Sequence, residues 1–271
     1  MTSKIAFVAN LAFRVFQHHS LRLNQIENSE NNYVNPNSQN FKTVDNIHLS
    51  EELSELFSMV KSLKLDDVGF SQSWIEDSKT SSAPVLYIHI MENEIFSMGI
   101  FVLKPGSRIP LHDHPDMFGM IRVLRGSVRC RSFSRILKSK VNTSNNSEKN
   151  WQVSDVIVTQ LTLDSILTSD SHPSLLTPSE GNLHELESID GPAVLLDILA
   201  PPYDHDLGTR ECKFYKEINL SSIPSQIRNK SLENQRIFED KDSSSFLYMI
   251  EIPQPNDYWC KSIEYEGPSL K

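Results

Sequence analysis

From Pro84 onward the chain is a succession of short apolar segments: VLYIHIM, FSMGIFVL, MIRVL, SVRCRSF, DVIVTQLTL, LHELES and AVLLDILA. Each is rich in Val, Ile, Leu and Phe, and Gly, Pro, Asn or Asp stands between them. Many short strands separated by turn residues predict an all-β sandwich or small barrel. The polar stretch SKVNTSNNSEKN, residues 139–150, reads as an exposed loop between two of these strands. There is no repeat at the period of a solenoid.

The residues ahead of the β region carry helical signals. SEELSELFSMVKSLKL places Leu53, Leu56, Phe57 and Val60 at helical spacing, with Ser50 as N-cap and Glu51 and Glu52 in the first turn. Residues 23–46 are rich in Asn and Ser and read as a linker or loop. Further upstream, Ile5, Val8, Leu11, Ala12 and Val15 recur at helical spacing among Lys4, Arg14 and Arg22, with no acid before Glu27. That pattern fits an amphipathic helix packed on the domain, with a mitochondrial presequence as the minority alternative. The expected organisation is a helical or flexible segment over 1–46 and one β domain over 47–271.

Composition narrows the class. With 23% charged and 38% hydrophobic residues, the chain reads as soluble and globular. No apolar run approaches the roughly 18 to 20 residues that span a bilayer, so no membrane partner is expected. A net charge of −9 argues against nucleic acid as a partner. Cys130, Cys212 and Cys260 are widely spaced and odd in number, a poor disulfide framework. They point to a reducing compartment, cytoplasmic or nuclear.

The chemistry concentrates in GSRIPLHDHPDMFGMIRVLRG, residues 106–126. On an extended segment residues i and i+2 share a face, so His112 and His114 aim together while Asp113 is directed away. Two imidazoles side by side offer two ligands to one transition metal. Gly106, five residues, His-x-His and Gly126 match the first motif of the cupins, G-x5-H-x-H-x3–4-E-x6-G. The glutamate of that motif is missing, because its two permitted positions hold Phe118 and Gly119. A third ligand must come from elsewhere, and the candidates are His172, His184 and His205. His184, in GNLHELES ahead of an apolar strand, is the best placed. Three neutral imidazoles on Fe(II) would leave positions open for dioxygen and for an anionic thiolate.

The chain resembles the cysteamine (2-aminoethanethiol) dioxygenases of animals and the related plant cysteine oxidases. The resemblance runs through GIFVLKPGSRIPLHDHPDMFGMIRVLRGSVR, NLHELESIDGPAVLLDILAPPYD, GTRECKFY and MIEIPQPNDYWCKSIEYEGP, and covers about residues 84–269. It implies a cupin fold (a double-stranded β-helix or jelly-roll barrel) with a short helical N-terminal lead. It also implies a non-haem Fe(II) thiol dioxygenase, monomeric, that uses O2 to convert cysteamine or the N-terminal cysteine of proteins to a sulfinic acid. With a protein substrate, that reaction senses oxygen and feeds an N-degron route.

Carried over by position, His112, His114 and His184 are the implied metal ligands. Asp197, an acid inside AVLLDILA, is expected either to orient a ligand histidine or to pair with the substrate's ammonium group. Tyr203 in APPYD corresponds to an active-site tyrosine, and Cys212 to a cysteine that the animal proteins crosslink to a tyrosine two residues on. Phe214 stands in place of that tyrosine, so the same crosslink is not expected. Asp116 and Phe118 also depart from the family pattern and are expected to tune access to the iron. Two other readings stay open: a non-catalytic cupin that binds metal or ligand, and a nickel, zinc or manganese isomerase.

Overall fold

In the computed structural model, residues 2–30, 45–137, 156–204, 206–219 and 246–270 are described. The loop expected at 139–150 and the candidate ligand His205 lie outside them. Among the described residues, helices α1 (Lys4–Glu30), α2 (Asp45–Lys61) and α3 (Gln72–Thr80) precede ten strands. These are β1 (Val85–Glu92), β2 (Ser97–Leu103), β3 (Arg108–Asp113), β4 (Phe118–Leu137), β5 (Val156–Thr168), β6 (Ser174–Leu176), β7 (Leu183–Ala200), β8 (Phe214–Ile218), β9 (Phe246–Ile252) and β10 (Cys260–Ile263).

Six strands close into a ring. The order β7-β3-β8-β9-β5-β4 returns to its start because β4 also pairs with β7. A closed ring has no unpaired edge, which is how small barrels avoid edge-to-edge association. This is the cupin barrel. Two long strands belong to it and to a second sheet at once. The first half of β7 pairs with β3, and its second half pairs with β2, which leads on through β1 to β10.

The turn residues that divide MIRVL from SVRCRSF, and LHELES from AVLLDILA, are bends within β4 and β7 rather than ends of strands. Gly126 lies in β4 at φ 81, and a Cβ there would come within 2.6 Å of the Pro192 carbonyl. Only glycine accommodates both the left-handed backbone and the close approach. The β4–β7 register shifts on either side of Arg125, where the paired strands turn from one sheet into the other.

Both faces of β2 and of the second half of β7 are largely buried, which is why FSMGIFVL and AVLLDILA read as continuous apolar runs. Alternate residues go to opposite sides. Leu86, Ile88, Met98, Ile100, Leu196 and Ile198 join one cluster with Ile5, Val8, Val15, Leu56 and Val60 of the helices. Val85, Leu103, Ile121, Val123 and Leu195 join the cluster on the barrel side. Residue 197 therefore faces the barrel with Leu195.

The helical face foreseen at the N-terminus is buried in this core, through Ile5, Val8, Leu11, Ala12 and Val15. Two boundaries differ from the sequence reading. Helix α1 continues to Glu30, through the first part of the stretch read as a linker, because LNQIENSE contains no proline or glycine to stop it. Helix α2 begins at Asp45, so Ser50 lies inside it rather than capping it. Among the described residues no helix is long and apolar enough to cross a membrane.

Candidate metal centre

The three histidines singled out in the sequence come together. His112 is the penultimate residue of β3 and pairs in register with His184 on β7; His114 follows one residue after β3 ends. Their ring centroids form a nearly equilateral triangle with sides of 4.7, 4.6 and 4.7 Å. One ligand nitrogen from each lies within 4.8 Å of the others. All three side chains are buried, and burial lowers each imidazole pKa below its ordinary 6.5. Their mutual repulsion as cations lowers His114 and His184 further. The cluster is thus held neutral, the state in which imidazole binds metal.

Hydrogen bonds fix the tautomers of two rings. His112 Nδ1 lies 2.8 Å from the Pro110 carbonyl, which can only accept, so Nδ1 carries the proton. The Tyr203 hydroxyl donates to the Asp113 carbonyl at 2.7 Å and lies 2.8 Å from His114 Nδ1. Having given its own proton to a carbonyl, this hydroxyl accepts the one on His114 Nδ1. Both rings are left with Nε2 as a lone pair, and His114 Nε2 lies 3.1 Å from His184 Nε2. Oxygen acceptors behind the rings and convergent lone pairs in front are the arrangement of a histidine metal site. The donor set fits a divalent transition metal.

Gly119, where the cupin glutamate would stand, has no room for a side chain. A Cβ there would come within 2.8 Å of Leu176 Cγ and 2.9 Å of Leu199 Cδ2. His172, the discarded third ligand, sits elsewhere: it stacks on Phe57 with centroids 5.9 Å apart and its Nε2 lies 3.0 Å from Lys61 Nζ. It docks the turn after β5 on helix α2.

The triad opens into a cavity of about 100 Å³ that Asp197, Tyr203, Cys212 and Phe214 also line. The remaining walls are mostly apolar, with Phe101, Ile109, Ile121, Leu186 and Leu195 among them. The Asp197 carboxyl hydrogen bonds to the Ile198 backbone rather than to a histidine, and Oδ1 is buried with no partner. Burial pushes its pKa up to about 7. Of the two roles expected for Asp197, orienting a ligand histidine is therefore not the one that its contacts serve. Cys212 hydrogen bonds to Tyr203, and burial raises its thiol to about 12.

Phe214 turns its ring to the cavity, 6.3 Å from that of His112, whereas its neighbour Tyr215 faces the opposite side and reaches Asp113. Phe118, expected to tune access to the iron, is not in the cavity wall. It packs on Phe16 of α1 with centroids 6.3 Å apart. Asp116 adopts φ 58, a left-handed conformation that Asp tolerates better than most residues. Tyr258, which the sequence reading passed over, lines the cavity and meets Phe214 edge-on at 5.8 Å. Its presence in NDYWC beside a glycine-poor, turn-rich segment gave no periodic signal of burial.

The family model described as PCO_ADO matches residues 59–270. The chain is 32% identical over 231 residues to 2-aminoethanethiol dioxygenase of Homo sapiens, covering 81% of this chain and 82% of that one. It is 33% identical over 229 residues to the protein of the same name in Mus musculus, covering 81% and 85%. With plant cysteine oxidase 1 of Arabidopsis thaliana it shares 30% identity over 232 residues, covering 82% and 72%.

Proposed function

Because the chain belongs to the PCO_ADO family of thiol dioxygenases, we propose that it binds Fe(II) through His112, His114 and His184 and uses O2 to oxidise cysteamine or the N-terminal cysteine of proteins to a sulfinic acid. The observation that carries this reading is the pairing, in one small apolar cavity, of a neutral three-nitrogen site with the Asp197 carboxyl, whose Oδ1 is buried without a hydrogen-bond partner. Both substrates present a thiol two carbons from an ammonium group. The thiol is directed to the histidines and the ammonium to Asp197. An ammonium there favours the ionised carboxylate and offsets the desolvation that raises its pKa.

Iron held by His112, His114 and His184 would supply the redox capacity for adding dioxygen to a thiolate. The balance is RSH + O2 → RSO2H: both oxygen atoms enter the product, and the sulfur supplies all four electrons. No external reductant is required. Without a protein carboxylate at position 119, the substrate thiolate contributes the negative charge.

The chain's own residues bind and orient. Tyr203 holds His114 in the tautomer that presents Nε2, and Cys212 steadies the Tyr203 hydroxyl. Phe101, Leu186 and Phe214 keep the cavity dry, which strengthens the attraction between ammonium and carboxylate. With a protein substrate, the sulfinate formed at the N-terminus marks the chain for an N-degron route, making turnover a measure of oxygen supply. The cysteines of the described residues are all free, and we assign the reaction to a monomer in the cytoplasm or nucleus.

The test is oxygen uptake by iron-loaded protein in the presence of cysteamine and of a Cys-initiating peptide. Uptake that requires the thiol, and that His184→Ala abolishes together with iron retention, supports the reading. Retained iron with no thiol-dependent uptake would leave a non-catalytic metal-binding protein in its place.

A further inference from the structure

The residue between the two histidines has a site of its own. Asp113 is 3% exposed and its carboxylate points away from the triad, into the wall of a second, open cleft. There Oδ1 accepts the Lys213 backbone N–H at 3.0 Å. Oδ2 accepts the Tyr215 hydroxyl at 2.8 Å and Arg135 Nη2 at 2.6 Å. Arg135 Nη2 also lies 2.6 Å from the Tyr215 oxygen, so the three side chains close a triangle. The backbone of Asp113 is held as well, its N–H donating to the Lys213 carbonyl at 3.1 Å.

The other end of this residue reaches the metal site. Its carbonyl takes the Tyr203 proton, and that bond is what frees Tyr203 to accept from His114 Nδ1. Asp113 is thus fixed by β4 through Arg135 and by β8 through Tyr215, and what it fixes in turn is the tautomer of a ligand. None of Asp113, Arg135 and Tyr215 lines the cavity into which the triad opens. A carboxylate this deeply buried is costly unless it is fully paired, and here every bond it makes serves to immobilise the His-x-His segment.

We propose that Asp113 is a positioning residue for the metal site, acting through the Tyr203–His114 pair, with Arg135 and Tyr215 as the groups that hold it in place. The inference rests on the reading of His112, His114 and His184 as metal ligands. It predicts that losing the Tyr215 hydroxyl, more than 100 residues along the chain from the nearest ligand it serves and on the far side of β3 from the metal, weakens metal binding. The chain separation follows from the 102-residue span of the Tyr215–Asp113 bond.

The experiment uses full-length Tyr215→Phe, Arg135→Gln and wild type, titrated with Co(II) against a chelating indicator, with the visible absorption of the Co(II) form recorded for each. Tyr215→Phe keeps the ring and its packing and removes one bond, so it decides the matter if Arg135→Gln does not fold. The expected result is a Co(II) affinity about 10-fold to 100-fold below wild type, the range for partners behind metal ligands. The absorption bands shift with it, while the metal-free variant still unfolds cooperatively. Affinities within about twofold of wild type, with superimposable spectra, would overturn the positioning role alone. Failure of wild type itself to bind Co(II) would overturn the metal-site reading and this inference with it.

Discussion

Asp197→Asn should make the metal-free protein more stable at alkaline pH, although it removes a residue that the reaction uses. The wild-type carboxyl has Oδ1 buried without a partner, and burial raises its pKa from 3.8 to about 7. The native state therefore holds this proton more tightly than the unfolded chain does. Stability from this group is complete below about pH 4, falls as pH rises toward 7, and is fully lost above it. At about 1.4 kcal/mol per pH unit, the loss approaches an upper bound of about 4 kcal/mol at pH 8 and about 2 kcal/mol at pH 5. Asparagine keeps the shape and the same buried oxygen but never ionises, so the comparison isolates the charge. Urea unfolding of both chelator-treated proteins at pH 5 and pH 8 measures it. Asp197→Asn should be the more stable protein, by a margin that widens by about 2 to 3 kcal/mol between the two pH values. An equal margin at both, or a less stable variant at pH 8, would refute the claim that Asp197 carries a buried oxygen, Oδ1, that awaits a cationic partner.

The same structure yields further expectations. Gly119→Ala should destabilise the protein by about 1 to 3 kcal/mol in urea unfolding, because its methyl meets Leu176 and Leu199 inside 3 Å. Restoring the cupin glutamate at that position should therefore fail to give a metal ligand. Metal retention, followed by metal analysis after dialysis at stepped pH, should have its midpoint below the ordinary imidazole value of 6.5, since burial holds all three rings neutral. Leu56→Ala should cost about 2 to 5 kcal/mol, read by the same unfolding assay, since Leu56 is fully buried among α1, α2 and the second sheet.

What the sequence made legible was local. His112 and His114 are two residues apart, so extended backbone alone puts them on one face. Asp197 stood out because an acid interrupts an otherwise apolar strand. His184 was separable from His172 because it stands ahead of the apolar run AVLLDIL, whereas His172 sits in a turn that docks on Phe57. The closure of the barrel was not legible. Strand β8 of the ring, FYKEI, is short, and β10 at the edge of the second sheet, CKSI, is short and mostly exposed, so neither carries the apolar alternation that marks the others. Their pairing is fixed by distant partners on β9 and β1. Phe118 was misread for a related reason. Its place in the His motif suggested the iron, but β4 turns its ring to Phe16 of α1, a contact that no spacing within the motif encodes. The triangle behind Asp113 was hidden in the same way, because Arg135 and Tyr215 reach it from other strands.

The central claim is that a three-histidine centre in this chain adds both atoms of O2 to the sulfur of a 2-aminoethanethiol unit. Its most direct test is mass spectrometry of cysteamine and of a Cys-initiating peptide after aerobic incubation with the iron-loaded protein. The account predicts a gain of about 32 Da, two oxygen atoms placed on sulfur, on at least one of the two, and none with His184→Ala. Iron bound in the expected ratio with neither thiol changed in mass would contradict it.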